Sequence, residues 1–141
     1  YNLKGINVLY YTKYFTMLIN NGYLKIDKSD LCYVYHDPCD LGRGCGIYEE
    51  PRKLLSSVAR ISEAPKNREE SVCCGGSLGS LSLTYFDRKN ITNASLNNLY
   101  ESKADAIATA CPLCKSTFAK YSDRPVRDIA EIIDKQSVSN K

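Results

Sequence analysis

Leu31-Cys32-Tyr33-Val34-Tyr35-His36-Asp37-Pro38-Cys39 is the stretch on which the fold turns, an apolar and aromatic run that meets a proline and then a cysteine. Such a run predicts a buried strand over 31–35, and Asp37-Pro38 followed by Gly42, Gly44 and Gly46 forces a loop behind it. The pattern recurs at 104–110, a compact apolar stretch ending at Cys111-Pro112-Leu113-Cys114. In both places a cysteine stands just beyond a strand.

Working outward, residues 6–10 suit a short buried strand, and Tyr14, Phe15, Leu18 and Ile19 recur at helical spacing until Asn21-Gly22 stops the run. Pro51 fits the first turn of a helix whose apolar face is Leu54, Leu55, Val58 and Ala59. A third strand is expected within 59–64, and the polar loop 65–70 leads to Ser71-Val72-Cys73-Cys74-Gly75-Gly76. A long helix runs through Ile91, Ser95, Asn98 and Leu99. A helix at 115–120, an extended Pro125-Val126 and a closing helix with Ile129, Ile132 and Ile133 on one side complete the chain. Strands alternating with helices define an α/β class, a Rossmann-like, mainly parallel sheet with right-handed crossovers and flanking helices. Ligands in such sheets bind beyond the carboxyl ends of the strands, so the three cysteine loops should converge on one edge.

A chain of 141 residues buries roughly 68% of its unfolded surface without staples. With 43% hydrophobic and 25% charged residues, the seven cysteines are not needed to rescue a small core. Their odd number, the vicinal Cys73-Cys74 pair and the lack of a secretory apolar segment exclude an extracellular disulfide framework and point to a cytoplasmic, reducing compartment. The sequons at Asn90 and Asn93 are accordingly read as accidental. The net charge of +3 is dispersed, which excludes a nucleic-acid stripe. No apolar run approaches the roughly 20 residues of a membrane span, so any membrane association is indirect, through a partner. The length leads one to expect a single domain over residues 1–141, and the start at Tyr1 is read as that of a domain excised from a longer chain or of a processed product.

Cys39, Cys73, Cys74, Cys111 and Cys114 supply five thiols from three loops. Thiolates favour soft or borderline metals, and loops this far apart in sequence meet only if the fold positions them. A CxxC pair alone fits zinc, iron–sulfur or dithiol redox chemistry equally. Adjacent cysteines serve two metal atoms more readily than one, because neighbouring side chains in extended backbone point to opposite sides. A zinc ion or a cubane cluster takes four ligands and leaves a fifth thiol surplus, whereas a multinuclear cluster of another type uses all five. Gly75 and Gly76 are expected to allow positive dihedrals and close approach of a bulky inorganic core.

The runs His36-Asp37-Pro38-Cys39-Asp40-Leu41-Gly42-Arg43, Tyr48-Glu49-Glu50-Pro51-Arg52, Cys73-Cys74-Gly75-Gly76 and Cys111-Pro112-Leu113-Cys114 resemble the cysteine-rich CCG domain. That family includes the B and D components of heterodisulfide reductase, the iron–sulfur component of glycolate oxidase and related lactate-utilisation and succinate dehydrogenase proteins. The resemblance covers roughly 6–133. It implies a subunit or domain of an oxidoreductase, heterodisulfide-reductase-like or glycolate-oxidase-like, with a non-cubane 4Fe–4S cluster on Cys39, Cys73, Cys74, Cys111 and Cys114. Electrons would pass to a disulfide or from an organic-acid oxidation partner, supplied by other subunits carrying iron–sulfur or flavin groups. No catalytic residue is implied beyond the ligands. Family members commonly carry two such modules where this sequence has one, Asp40 stands where histidine is frequent, and some members bind zinc. A zinc-binding assembly domain, or a cluster-free dithiol oxidoreductase in which Cys114 near a helix start has a lowered pKa, are the competing readings.

Cys32 reads as a small core hydrophobe within its strand, and Cys45 as a spare ligand, a redox thiol or a bystander. His36 with Asp37 invites an acid–base dyad; hydrogen bonds to loop backbone or to a cysteine sulfur are the plainer role. Arg43 and Arg52 fit either a cluster's or substrate's negative charge or a surface ion pair. Tyr10, Tyr11, Tyr14, Tyr33 and Tyr35 are expected to pack in the core.

Overall fold

The computed structural model describes residues 4–76 and 82–138. Its centre is a four-stranded, all-parallel sheet in the order β2-β1-β3-β4, with β1 Cys32–His36, β2 Arg60–Ser62, β3 Ala106–Thr109 and β4 Val126–Asp128. The helices are α1 Tyr11–Asn20, α2 Glu49–Val58, α3 Tyr85–Tyr100, α4 Pro112–Phe118 and α5 Ile129–Gln136. A single 3-10 turn, Arg68–Glu70, interrupts the loop after β2.

The period-two alternation of the two inner strands sorts the core into two layers. Tyr33, Tyr35, Ala106 and Ala108 face one side, where α2 contributes Leu54, Leu55 and Val58 and α5 contributes Ile129, Ile132 and Ile133. Val34, Ile107 and Val126 face the other, against Leu96 and Leu99 of α3 and Phe118 of α4. Register explains the composition. Tyr33 pairs with Ala106 and Tyr35 with Ala108, so each tyrosine ring spreads over a neighbour that has only a methyl group.

Chain direction at the sheet's middle decides where a ligand can sit. From β1 the chain leaves through α2 on one face to reach β2; from β3 it leaves through α4 on the opposite face to reach β4. Adjacent strands whose connections diverge leave a crevice at their carboxyl ends. The loops after β1 and β3, carrying Cys39 and Cys111, form its two lips.

The expected strand at 6–10 does not form. The sheet edges are β2 and β4, and Ile6 and Val8 remain 63% and 74% exposed, with Tyr10 serving only as the residue before α1. A short apolar stretch without a partner strand is not enough to make a strand. Two tyrosines depart from the expected core role in the same region, since Tyr10 and Tyr14 are exposed while Tyr33 and Tyr35 are buried. The bounds of the other elements shift by a few residues. The α4 helix begins earlier than anticipated, with Cys111 before its first residue and Pro112 in its first turn.

Candidate metal centre

Asp37 anchors the loop after β1. Its carboxylate takes two hydrogen bonds from Arg52, at 2.6 and 2.8 Å, and a third from the backbone N–H of Arg68 at 2.8 Å. Arg52 also donates to Glu63 at 2.7 and 3.0 Å. Burial works against the guanidinium charge, but the hydrogen bonds to Asp37 and Glu63 outweigh it and raise its pKa. Arg52 is thus a buried strut between α2 and the loops around β1 and β2, and neither a surface ion pair nor a ligand for an external anion. Arg43 is a second strut. Its guanidinium donates to the Ser71 carbonyl at 2.7 Å, tying the Cys39 loop to the segment before Cys73.

The dyad reading of His36 and Asp37 fails on this geometry, because the carboxylate belongs to Arg52. The His36 ring is buried and stands edge-on to Phe118 at 4.7 Å between centroids. Its imidazole nitrogen and the sulfurs of Cys74 and Cys114 all lie within 4.8 Å of one another.

The thiols of Cys73, Cys74, Cys111 and Cys114 lie close enough to shift one another's pKa, and the backbone N–H groups of Gly75 and Gly76 donate to Cys73 and Cys74 at 3.4 Å each. Cys114 and Cys73, then His36 and the Gly76 N–H, hold the Cys74 thiol far below its ordinary pKa despite burial. Cys111 is lowered to about 6, first by Cys114 and then by the N–H groups of Cys114 and Leu113 at the start of α4. Cys73 is raised first by the neighbouring Cys74, and Cys114 by Cys111 and Cys74 together with burial. The competing expectation of a lowered Cys114 is therefore reversed: Cys111, facing the free N–H groups of the helix start, is the thiol lowered there, while Cys114 is raised by Cys111 and Cys74 beside it. Cys39 stands at the margin, raised by burial and by Asp40, its Sγ 3.9 Å from the Asp40 carboxylate and within electrostatic reach of Cys73 and Cys74.

Two cysteines stay apart. Cys32 begins β1, at the opposite end of the strand from the loop with Cys39, and packs beside the core. Cys45 is exposed and shares a hydrogen bond with the Tyr10 hydroxyl at 2.7 Å.

The Cys73-Cys74 turn is held by α3 through side chains that the sequence pattern places on an ordinary helical face. Thr92 donates to the Cys74 carbonyl at 2.8 Å, Ser95 to the Val72 carbonyl at 3.0 Å, and Asn98 exchanges two hydrogen bonds with Lys66. All three are buried. Small polar residues at 92, 95 and 98, on one helical face amid apolar neighbours, are the signal in the sequence that points to them. Thr92 and Ser95 are also the third, hydroxyl-bearing positions of the two sequons, and both are buried with their hydroxyls bonded to backbone carbonyls.

Gly75 has the anticipated positive φ of 80°, yet the close approach it permits is to protein. A Cβ there would stand 2.8 Å from the Arg88 carbonyl and from Thr92 Oγ1, and one on Gly76 would stand 2.1 Å from Thr117 Oγ1. The glycines seat the turn between α3 and α4. An apolar hollow of about 250 Å³ opens on the other side of the group, beside Cys111, walled by Tyr11, Thr12, Pro38 and Leu41.

A parallel α/β sheet with clustered thiols at its switch point defines a cysteine-rich redox or metal module. The model of the cysteine-rich domain family CCG matches residues 33–119, and the chain belongs to that family. It is 30% identical over 125 residues to the D subunit of the dihydromethanophenazine:CoB–CoM heterodisulfide reductase of Methanosarcina acetivorans, covering 86% of this chain and 31% of that protein. It is 31% identical over 130 residues to an iron–sulfur protein of Methanococcus maripaludis, covering 84% of this chain and 26% of the relative. The match to the B subunit of the fumarate reductase (CoM/CoB) of Methanothermobacter marburgensis is 29% over 135 residues, 92% of this chain and 27% of that protein. The chain therefore spans between about a quarter and a third of the length of these relatives. No helix among the described residues is long and apolar enough to cross a membrane.

Proposed function

We propose that this domain binds an iron–sulfur cluster through Cys39, Cys73, Cys74, Cys111 and Cys114 and works as an electron-transferring module of a heterodisulfide-reductase-like or organic-acid oxidoreductase. The observation that carries the reading is the meeting of Cys73, Cys74, Cys111 and Cys114 at the sheet's switch point. The donor set fits: Cys74 and Cys111, both lowered by their neighbours, and adjacent thiols whose protons a metal displaces. Relatives named as iron–sulfur proteins and reductase subunits support it. Five thiols, with Cys39 closing in from the margin, favour a non-cubane cluster over a four-ligand one.

When bound, such a cluster supplies one-electron transfer and a soft site for sulfur. The chain's own residues do the rest. Asp37, Arg52 and Arg43 fix the loops that carry the thiols, and Phe118 and His36 cover Cys74 and Cys114 from one side. The apolar hollow beside Cys111 gives a ligand an approach. Residues 1–141 act as one domain of a larger assembly in a reducing, cytoplasmic setting, where iron–sulfur or flavin partners exchange electrons with it and any membrane contact runs through them. Seven free cysteines accord with that compartment.

Zinc is the second reading, favoured by one observation: His36, Cys74 and Cys114 present three ligand atoms within 4.8 Å of each other, the makings of a tetrahedral site. Anaerobic purification followed by iron, acid-labile sulfide and zinc analysis separates the two. Iron with sulfide, lost in each Cys→Ser variant of the five and retained in Cys45→Ser, supports the cluster. One zinc per chain, lost in His36→Ala, supports the alternative, and a metal-free chain with thiol–disulfide activity refutes both.

A further inference from the structure

A hollow between α3 and α4 takes no part in the thiol group. It measures about 210 Å³, and its wall carries Arg88, Lys89 and Lys120 with the phenols of Tyr85 and Tyr121, over a floor of Gly75 and Gly76. Among the described residues no carboxylate lines it. Among the described residues, too, none of its three cations makes an ion pair, although acidic residues are nearly as numerous as basic ones in the chain. Arg88 Nε is shielded from solvent with no hydrogen-bond partner. Tyr121 donates to the Tyr85 hydroxyl at 3.3 Å, which leaves the Tyr85 proton free, and Lys89 Nζ stands 5.8 Å from the Tyr121 ring centre.

Arg88 is half-buried on the wall of the hollow, and its guanidinium has no acidic partner among the described residues. Three unpaired positive charges around one concavity call for a bound group that is multiply negative. The hollow lies below the roughly 300–1,000 Å³ of sites that enclose a whole drug-sized ligand, so it suits a head group rather than an entire cofactor. We propose that the hollow between α3 and α4 binds the phosphate-type oxyanion group of a small molecule, gripped by Arg88, Lys89, Lys120 and the Tyr85 hydroxyl. The anion lies against the same Gly75-Gly76 turn that carries Cys74, so its occupancy presses on the thiol loop. The site holds no thiol, and its existence does not depend on which metal the cysteines take.

Inorganic phosphate is the probe, titrated at constant ionic strength into the full chain, in both metal-loaded and metal-free forms, with acetate as the monoanion control. Expected are saturable NMR shifts of the Arg88 Nε–H and the Gly75 and Gly76 amides, with acetate weaker. Lys89 and Lys120 are exposed, so Lys89→Gln with Lys120→Gln leaves the fold intact and weakens phosphate by about fivefold or more. Arg88→Gln abolishes the saturable shifts while circular dichroism is unchanged. Non-saturating shifts, an effect below that factor in the double-lysine variant, or acetate binding as tightly as phosphate overturns the proposal. Phosphate binding by a chain that fails to take up iron sinks the cluster reading and leaves this one standing.

Discussion

Arg52 and Asp37 form a two-pronged ion pair, at 2.6 and 2.8 Å, whose side chains are only 6% and 2% exposed. Fifteen residues apart in sequence, they join α2 to the loop that delivers Cys39. A pair this deep is stabilising only while complete, since each charge has left water.

Arg52→Met should therefore cost about 3–5 kcal/mol, the penalty of leaving the partner buried and unpaired. Urea denaturation measures it. Arg52→Met combined with Asp37→Asn should lose clearly less than the sum of the single variants, because the second change removes the stranded charge. Additive losses would show that the two side chains do not act as a pair.

Gly75 and Gly76 are adjacent but predict different rescue behaviour. Gly75→Ala places a side chain at φ 80° and 2.8 Å from the Arg88 carbonyl, an obstacle of backbone that cannot move aside, and should cost about 1–3 kcal/mol. Removing the other nearby atom with Thr92→Ala should not restore it. Gly76→Ala instead meets the Thr117 hydroxyl, a side chain that can be cut back, so Thr117→Ala should recover part of the lost stability. Thermal melts of the single and paired variants decide the matter, and rescue of Gly75→Ala by Thr92→Ala would contradict the placement of the turn.

Thr92 supplies a cleaner test of how α3 holds the cysteine loop. Its hydroxyl donates to the Cys74 carbonyl at 2.8 Å, and Thr92→Val keeps the shape while deleting the donor. The stranded buried carbonyl should cost about 1–3 kcal/mol. Amide hydrogen exchange should rise at 73–76 before it rises in β1 or β3, since the loop loses its tether while the sheet keeps its ladder. Uniform loss of protection would argue that Thr92 matters only to global stability.

The two core layers and the succession of strands and helices are legible in the sequence because periodicity reports burial directly: Tyr33, Tyr35, Ala106 and Ala108 fall on one face and Val34 and Ile107 on the other. The meeting of the cysteine loops follows from the parallel topology. What sequence does not disclose is pairing between distant polar groups. Arg52 looks like any basic residue on a helix until Asp37 and Glu63 close on it, and the shared helical face of Thr92, Ser95 and Asn98 does not reveal that the cysteine loop and Lys66 take their hydrogen bonds. Residues 6–10 mislead for the converse reason, since their short apolar stretch has no neighbouring strand to meet.

The reduced, metal-free chain should show its thiol order in alkylation. Cys111 is lowered to about 6 by Cys114 and the first N–H groups of α4, whereas an unfolded thiol titrates near about 8.5. A folded value below the unfolded one means that the thiolate's contribution to stability is complete above about pH 8.5 and fades as pH falls through about 6. At neutral pH Cys111 is therefore largely ionised and only partly covered, Cys74 is lowered but buried, and Cys39 is raised by burial and Asp40. In a Cys45→Ser background, which removes the exposed thiol, iodoacetamide at about pH 7 should mark Cys111 first, with a rate that halves near pH 6. Cys114→Ser retains a donor in its hydroxyl, but Cys114→Ala removes the main side-chain influence that lowers Cys111, so the midpoint should move up toward the unfolded value. Peptide mapping by mass spectrometry reads both effects. Prior labelling of Cys39, or a Cys111 midpoint indifferent to Cys114→Ala, would mean that the four thiols are not joined as the geometry joins them.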